Sequence, residues 1–319
     1  MVEKLLELDE ISITFKTRRG MFKAVDSLSI TIQEGEILGL VGESGAGKSI
    51  TGTAILGLIP KPGWLSSGKI SFKGARIDTN PKLVRGSQIS MIFQDPLVSL
   101  NPLKRIGDQL VETIQTHISC SQAEAINRAT RSLEEVGIDP TRFNAYPHTF
   151  SGGMRQRVVI ALALAPGPAL IIADEPTTAL DVSNQAQILE LLKKLCREKK
   201  TSVILITHDM GVVSQTTDRV AVLYAGRLVE LGTTRHVLTD PKHPYTLGLV
   251  NSTPRIDGRS FGKELYQIPG SMPKLDAIPS GCSFHPRCNY ANEYCKSARP
   301  YLLEGRAACW LLGKERTLQ

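Results

Sequence analysis

Hydrophobic and polar positions alternate along the N-terminal part of the chain, and this pattern predicts β-strands. The runs "LLELDEISITF" and "AVDSLSITIQEGEILGLVG" contain these strands, and the acidic-glycine turn "QEGE" divides the second run. A helix-like segment follows at 49–59, and the strand-like runs "GKISFKG" and "ISMIFQ" come after it. We therefore predict an antiparallel β region that leads into a strand, a loop and a helix.

The spacing of apolar residues changes to three and four between about Pro96 and Pro166, which predicts a helical insertion. After it, strand-like and helix-like segments alternate again: "ALIIADEP", "NQAQILELLKKLCREKK", "TSVILITHD" and "RVAVLYAGRLVELG". The predicted fold class is therefore α/β, with a mostly parallel sheet flanked by helices. Beyond "DPKHPYTLGLV" the composition shifts to Pro, Gly, Arg and Cys, so we predict one domain over 1–235, with the helical subdomain at about 96–166, and a second over 236–319.

Composition narrows the class of protein. The chain has 319 residues, 41% hydrophobic and 22% charged, which is typical of a folded globular protein. Its apolar runs all fall short of the ~20 residues that cross a bilayer, so we expect a cytoplasmic location. The net charge of +7 is scattered along the sequence, which favours a solvated surface over a nucleic-acid interface.

The stretch "VGESGAGKS" carries the first chemical signal. Gly42, Gly47, Lys48 and Ser49 match the pattern G-x-x-x-x-G-K-[ST], in which backbone N–H groups wrap phosphates and the lysine neutralises their charge. A glycine-rich turn without a ligand is the alternative, because short patterns arise by chance. The strand-like run before the stretch and the helix-like run after it favour a phosphate loop.

Two acidic residues end a predicted buried strand in "ALIIADEP". The carboxyl ends of strands are where α/β sheets bind ligands. Asp174 could hold Mg²⁺ beside the Ser49 hydroxyl, and Glu175 could orient a water for attack on the γ-phosphate. Solvated acids at a strand end are the alternative interpretation.

A second anion site is predicted at "FSGGMRQR", where exposed N–H groups meet the start of a helix. The phosphate loop already surrounds the phosphates of a nucleotide, so a second anion site in the same chain needs an explanation. The simplest explanation is a partner ATPase subunit whose equivalent loop closes over the nucleotide. On its own, "SGG" would be interpreted as a flexible turn.

The order of these motifs resembles the nucleotide-binding subunits of ABC transporters, over essentially all 319 residues. The resemblance implies that Gln94 is the coupling glutamine, that "SGGMRQR" is the signature, that "ALD" at 179–181 is the dimer loop and that His208 completes the set. It further implies that two subunits sandwich two ATP molecules and that hydrolysis drives the membrane subunits. Two positions depart from the family pattern, Phe150 in place of Leu and Met154 in place of Gln.

The resemblance also assigns roles to individual residues. Lys48, Gln94, Glu175 and His208 are the predicted catalytic residues, and Ser49, Gln94 and Asp174 are the predicted Mg²⁺ ligands. The predicted ATP contacts are Phe15, Gly42, Ser44, Gly45, Ala46, Gly47, Lys48, Ser49, Ile50, Gln94, Ser151, Gly152, Gly153 and Asp181. Phe15 is favoured over Phe22 for stacking on adenine. Structural roles are the alternatives for His208 and Gln94.

The C-terminal part resembles the extension of importers for oligopeptides, dipeptides and nickel, through "HPYTLGLV", "PGSMPKL" and "PSGCSFHPRC". The resemblance implies the motor ATPase of a bacterial importer for di- or oligopeptides, peripheral on the cytoplasmic face of the inner membrane. Its implied partners are two permease subunits, a second and commonly distinct ATPase, and indirectly an external substrate-binding protein. A nickel or metallophore importer is one alternative. A soluble ABC ATPase acting on nucleic acid or ribosomes is less favoured, since the chain has one cassette and no sustained heptads.

Six cysteines are present, of which Cys120 and Cys196 are isolated. The other four are spaced C-x₅-C-x₆-C-x₁₃-C near the C-terminus: Cys282, Cys288, Cys295 and Cys309. In a reducing compartment such a cluster favours metal over disulfides. The resemblance implies a [4Fe–4S] cluster that staples this part of the chain, while structural zinc and free thiols are the alternatives.

Overall fold

The computed structural model describes residues 4–178, 180–253, 266–303 and 305–313, apart from the side chain of Val182. The strands are β1 Lys4–Thr17, β2 Gly20–Gln33, β3 Ile37–Val41, β4 Gly63–Phe72, β5 Ala75–Arg76, β6 Ile89–Ile92, β7 Leu170–Asp174, β8 Ser202–Thr207, β9 Arg219–Tyr224 and β10 Arg227–Thr233. The α-helices are α1 Lys48–Ile55, α2 Pro96–Ser99, α3 Ile106–His117, α4 Gln122–Glu135, α5 Gly152–Leu164, α6 Val182–Lys199, α7 Met210–Thr216, α8 Thr234–Thr239, α9 Pro244–Asn251 and α10 Glu293–Ser297.

The described residues form two compact units. The first comprises Gln33–Ile37 and Thr79–Leu205, and the second comprises Lys4–Ile32, Leu38–Asp78 and the chain from Ile206 onward. Among the described residues, no helix is both long enough and apolar enough to cross a membrane.

The first unit contains the predicted helical insertion. Strands β6 and β7 are parallel, in a register that runs from Ile89 opposite Leu170 to Ile92 opposite Ala173, and the strand order is β8-β7-β6. All five residues of β7 are buried, as expected for a central parallel strand. Helices α3, α4 and α5 pack against one another, so the change to helical spacing predicted this region well.

The second unit contains the predicted antiparallel β region. Its four-stranded sheet has the order β2-β1-β4-β5, and β4 is antiparallel to both β1 and β5. Strand β3 is buried throughout and parallel to β9, which pairs with β10 in the antiparallel direction. The α/β architecture predicted from the sequence is therefore confirmed.

Two of the boundaries that differ from the predicted ones have a clear physical reason. The helix expected over 49–59 ends at Ile55, because Gly57 takes the left-handed conformation (φ 62°) that ends helices. Strand β4 begins at Gly63, ahead of the run "GKISFKG", because its first residues pair with the distal end of β1, where Phe15 lies opposite Gly63.

A hydrophobic cluster in the second unit joins the end of β3 to the C-terminal part of the chain. Val41 of β3 and Tyr224 of β9 lie in the same cluster as Tyr245 of α9 and Phe284. The aromatic rings of the last three residues contact one another, with centroids 4.7 to 5.4 Å apart. The loop that follows Val41 therefore starts from a buried and tightly packed position.

Candidate nucleotide-binding and hydrolysis site

The predicted phosphate loop lies between β3 and α1 in the second unit, and its backbone requires glycine at two positions. Gly42 has φ 151° and Gly47 has φ 101°. A Cβ atom on Gly42 would overlap the carbonyl oxygen of Leu223, and one on Gly47 would lie 2.8 Å from the carbonyl oxygen of Ala24. These two glycines are therefore needed both for conformation and for space.

Lys48 is buried and turns back over the loop. Its Nζ donates hydrogen bonds to the carbonyl oxygens of Gly42, at 2.8 Å, and Glu43, at 3.1 Å. The ammonium group is thus held inside the loop, where it can neutralise a bound phosphate. Ser44, Gly45 and Ser49 are exposed, whereas Ala46 is buried and Ile50 half-buried. The loop therefore offers an accessible rim around a fixed lysine.

Two contacts to this loop were not predicted from the sequence. The guanidinium of Arg287 forms a two-point ion pair with the carboxylate of Glu43, at 2.6 and 3.0 Å, and the Tyr245 hydroxyl accepts a hydrogen bond from the Glu43 N–H at 2.8 Å. This ion pair raises the pKa of Arg287. Arg287 and Glu43 are 244 positions apart, so no local pattern signals their contact.

In the first unit, the parallel pairing of β6 and β7 brings two predicted site residues together. The Gln94 amide donates to Glu175 Oε2 at 3.0 Å, and the Thr178 hydroxyl donates to the same oxygen at 2.9 Å. Asp174 is buried at the end of β7. Glu175 has a left-handed backbone (φ 45°), a conformation that non-glycine residues adopt at a cost and that is common at functional positions. Thr178 was not among the predicted site residues.

The predicted signature opens helix α5, as its sequence indicates. Ser151 is the N-cap and accepts a hydrogen bond from the Met154 N–H at 3.4 Å, and Gly152 is exposed. A Cβ atom on Gly153 would lie 3.2 Å from Asn184 Oδ1. The first turn of α5 therefore presents backbone N–H groups with little side-chain cover, as an anion site requires.

The predicted dimer loop lies beside the signature in the first unit. Asp181 caps helix α6 by accepting a hydrogen bond from the Asn184 N–H at 2.9 Å, and the Asn184 amide donates to its other oxygen at 2.7 Å. These hydrogen bonds lower the pKa of Asp181. Ala179, the first residue of the predicted dimer loop, lies outside the described residues.

His208 and Phe15 belong to the second unit. His208 is exposed just after β8. Phe15 lies in β1 with its ring against Gly63, where a Cβ atom would meet ring carbons at 2.6 and 2.7 Å. Phe22 is half-buried like Phe15, so the assignment of Phe15 to adenine stays a prediction.

The four C-terminal cysteines line one small cavity, together with Trp310. Burial is the main cause that raises the pKa of Cys288 to about 11 and that of Cys309 to about 12, and the neighbouring thiols raise both further. The cavity measures about 20 Å³, enough for roughly one water molecule. Within the described part of the chain, no group of three or more His, Cys, Asp or Glu residues has an arrangement that could hold a metal ion.

Comparison with known families gives two matches along the chain. Residues 25–178 match the family described as ABC transporter. Residues 229–295 match the oligopeptide/dipeptide transporter C-terminal region. The two matches fall on the parts of the sequence that carry the phosphate loop and the cysteine-rich extension.

Named relatives are similar over almost the whole length. The oligopeptide transport ATP-binding protein OppD of Salmonella typhimurium is 49% identical over 302 residues, which cover 93% of this chain and 89% of the relative. The dipeptide transport ATP-binding protein DppD of Haemophilus influenzae is 45% identical, over 93% of this chain and 92% of the relative. Among solved structures, the dimeric post-hydrolysis state of the ATP-binding cassette MJ0796 bound to ADP and Pi has a TM-score of 0.64 at 29% identity, over 72% of this chain and 99% of that chain.

Proposed function

Because this chain belongs to the family of ABC transporter ATP-binding proteins, we propose that it is the ATP-hydrolysing motor of a bacterial importer for di- and oligopeptides. The observation that carries the proposal is the phosphate loop, with its three glycines of positive φ and with Lys48 Nζ held 2.8 Å from the Gly42 carbonyl oxygen. The names of the relatives favour peptide cargo over nickel or a metallophore.

The proposed hydrolysis uses the residues that the motifs assign. The N–H groups of the loop and Lys48 bind the phosphates, and Glu175 orients the attacking water and accepts its proton. Gln94, which donates to Glu175 at 3.0 Å, holds that carboxylate in place. His208 contributes charge near the γ-phosphate.

Mg²⁺ is the proposed metal of the ATP site, with Ser49, Gln94 and Asp174 as its ligands. Hydroxyl, amide and carboxylate oxygens are the donors that this ion prefers. The buried carboxylate of Asp174 at the end of β7 fits this role. When bound, the ion would neutralise charge that develops on the phosphates.

The proposed partners follow from the relatives and from the exposed signature. A second ATPase subunit, commonly a distinct paralogue, would present its own signature, corresponding to Ser151, Gly152 and Gly153, to the nucleotide held here. Two permease subunits would anchor the pair to the cytoplasmic face of the inner membrane, and an external binding protein would deliver the peptide. We further propose an ATPase domain over 1–235, with its helical subdomain at about 96–166, and an extension over 236–319, because separate families match the two parts.

We also propose that Cys282, Cys288, Cys295 and Cys309 hold a [4Fe–4S] cluster that staples the extension. Four thiols around one cavity supply the number and type of soft ligand that such a cluster takes. The cavity of about 20 Å³ must open for this group to enter. Anaerobic purification followed by iron, sulfide and zinc analysis tests the proposal, and absence of both metals would reject the four thiols as ligands.

The transport function is tested by purifying the chain from native membranes in mild detergent. We expect two polytopic membrane proteins and a second ATPase to co-purify, with ATPase activity in the complex. Recovery with ribosomes or DNA-processing proteins, and without membrane subunits, would overturn the importer and leave a soluble ATPase.

A further inference from the structure

Glu43 occupies a variable position of the phosphate-loop pattern, yet each of its polar groups is bound. Its N–H donates to the Tyr245 hydroxyl at 2.8 Å, its carbonyl oxygen accepts from Lys48 Nζ at 3.1 Å, and its carboxylate pairs with Arg287 at 2.6 and 3.0 Å. Two of these three partners belong to the C-terminal part of the chain. All four residues lie in the second compact unit.

Arg287 is itself held firmly. Its side chain is only 6% exposed, and its Nε donates to the carbonyl oxygen of Pro269 at 2.6 Å. The guanidinium lies over the rings of Tyr224 and Phe284, 5.8 and 5.9 Å from their centroids. A planar cation stacked in this way and bound at two points has a single favoured orientation.

Tyr245 is equally constrained. Its side chain is fully buried, and its ring meets the Tyr224 ring at an angle of 63° with centroids 4.7 Å apart. Its own N–H donates to Nδ1 of His243 at 3.1 Å, which caps helix α9. The hydroxyl that receives the Glu43 N–H therefore projects from a rigid support.

A purely structural junction does not need this chemistry. Burying an arginine and partly burying a carboxylate costs desolvation energy, and apolar side chains of similar size stabilise such contacts as well or better. What an ion pair adds is a defined geometry. Here the pair with Arg287 defines the position of Glu43, which lies between Gly42 and the exposed rim of the loop.

We propose that Arg287 and Tyr245 are positioning residues for nucleotide binding, which fix Glu43 and thereby keep the loop N–H groups and Lys48 arranged for phosphate. This inference rests on the proposed ATPase function. The loop is rich in glycine and would otherwise lose conformational freedom when the nucleotide binds, so holding it in advance improves affinity. The C-terminal extension thus contributes to the ATP site through Glu43.

The experiment measures binding of a non-hydrolysable ATP analogue with Mg²⁺, and steady-state ATPase kinetics, in the purified full-length chain. Arg287→Met retains an unbranched apolar side chain but removes the ion pair, so we expect Kd and KM to rise about tenfold while kcat stays within about twofold. Tyr245→Phe should raise Kd a few-fold. Glu43→Gln should match Arg287→Met, and the double variant should be no weaker than either single variant, since all three lose the same interaction.

Arg19→Met is the matched control. The exposed Arg19 pairs with Asp276 at 3.2 Å, so this ion pair also reaches the C-terminal part of the chain, but neither residue belongs to the loop. We expect no change in Kd. Thermal unfolding of every variant separates loss of affinity from loss of fold.

The outcomes are distinguishable. If the unmodified chain does not bind the analogue, the proposed function fails and this inference fails with it. If the unmodified chain binds while folded Arg287→Met and Glu43→Gln bind within twofold of it, the inference is overturned and the proposed function stands. Should Arg287→Met not fold, Glu43→Gln and Tyr245→Phe decide, and unchanged affinity in both overturns the inference.

Discussion

Glu43 and Glu175 each lie near the carboxyl end of a fully buried parallel strand, but their surroundings differ. Glu43 is bound by the guanidinium of Arg287, whose side chain is 6% exposed. Glu175 accepts hydrogen bonds from the neutral side chains of Gln94 and Thr178 and has a left-handed backbone. The first arrangement is suited to holding a loop, and the second is suited to a carboxylate that exchanges a neutral partner for a reacting water.

Replacing Glu175 by Gln should have the largest effect of all. The substitution preserves shape and removes the charge that accepts a proton, so we expect kcat for ATP to fall about 10²- to 10⁴-fold while ATP affinity stays within a few-fold. Steady-state kinetics and analogue binding measure the two quantities. Glu198→Gln, at an exposed position of helix α6, is the control and should retain full activity. Undiminished hydrolysis in Glu175→Gln would show that another group acts as the base.

Gly42→Ala tests the surroundings of Glu43, because it changes the backbone of the residue just before it. The new Cβ would overlap the Leu223 carbonyl oxygen, so the loop must shift and carry Glu43 with it. We expect ATP affinity to fall at least tenfold, measured by analogue binding. Gly74 also has a positive φ, 76° against 151° for Gly42, but no atom lies within 4 Å of its Cβ position, so Gly74→Ala is the control. That variant should lose only about 1 kcal/mol of stability and no affinity. Equal affinity in the two variants would contradict the steric argument.

His243, which accepts a hydrogen bond from the Tyr245 N–H, should make the free energy of unfolding depend on pH. Burial lowers the pKa of His243 to about 3 from an ordinary value of 6.5, so the folded state binds fewer protons than the unfolded state between these values. The contribution of His243 to the free energy of unfolding should therefore be largest above pH 6.5 and should fall by up to about 1.4 kcal/mol per pH unit as the pH drops toward 3.

Chemical denaturation at several pH values measures this slope. His243→Asn can keep the cap on the Tyr245 N–H without a titrating ring, so its slope should be smaller. His236→Asn, at an exposed position, should keep the slope of the unmodified chain. A slope unchanged in His243→Asn would assign the pH dependence to other groups.

The smallest effect is expected for an exposed ion pair, which sharpens the contrast with Arg287 and Glu43. Arg19 is 81% exposed in its pair with Asp276, so solvent screens the attraction. Arg19→Gln should change the free energy of unfolding by less than about 0.5 kcal/mol. A loss well above this value would contradict the argument that solvent screens the exposed pair.

Much of the fold and of the candidate site could be predicted because their signals are local. The strand before the phosphate loop, the helix opened by Ser151 and the buried strand ending at Asp174 each follow from residue spacing within about ten positions. The contact between Gln94 and Glu175 is longer in range, at 81 positions, and only the family resemblance placed the two residues in one site. The roles assigned to these residues in hydrolysis stay predictions.

By itself, the sequence determined the α/β pattern, the phosphate loop and the family, because periodicity and motif spacing are written along the chain. Only the tertiary structure decided that Arg287 and Tyr245 hold Glu43, across 244 and 202 positions, and that four separated cysteines line one cavity. Such contacts depend on which elements pack together. An arginine has the same letter in the sequence whether its side chain faces water or, like that of Arg287, is buried against a distant carboxylate. Its burial could therefore be seen only in the folded chain.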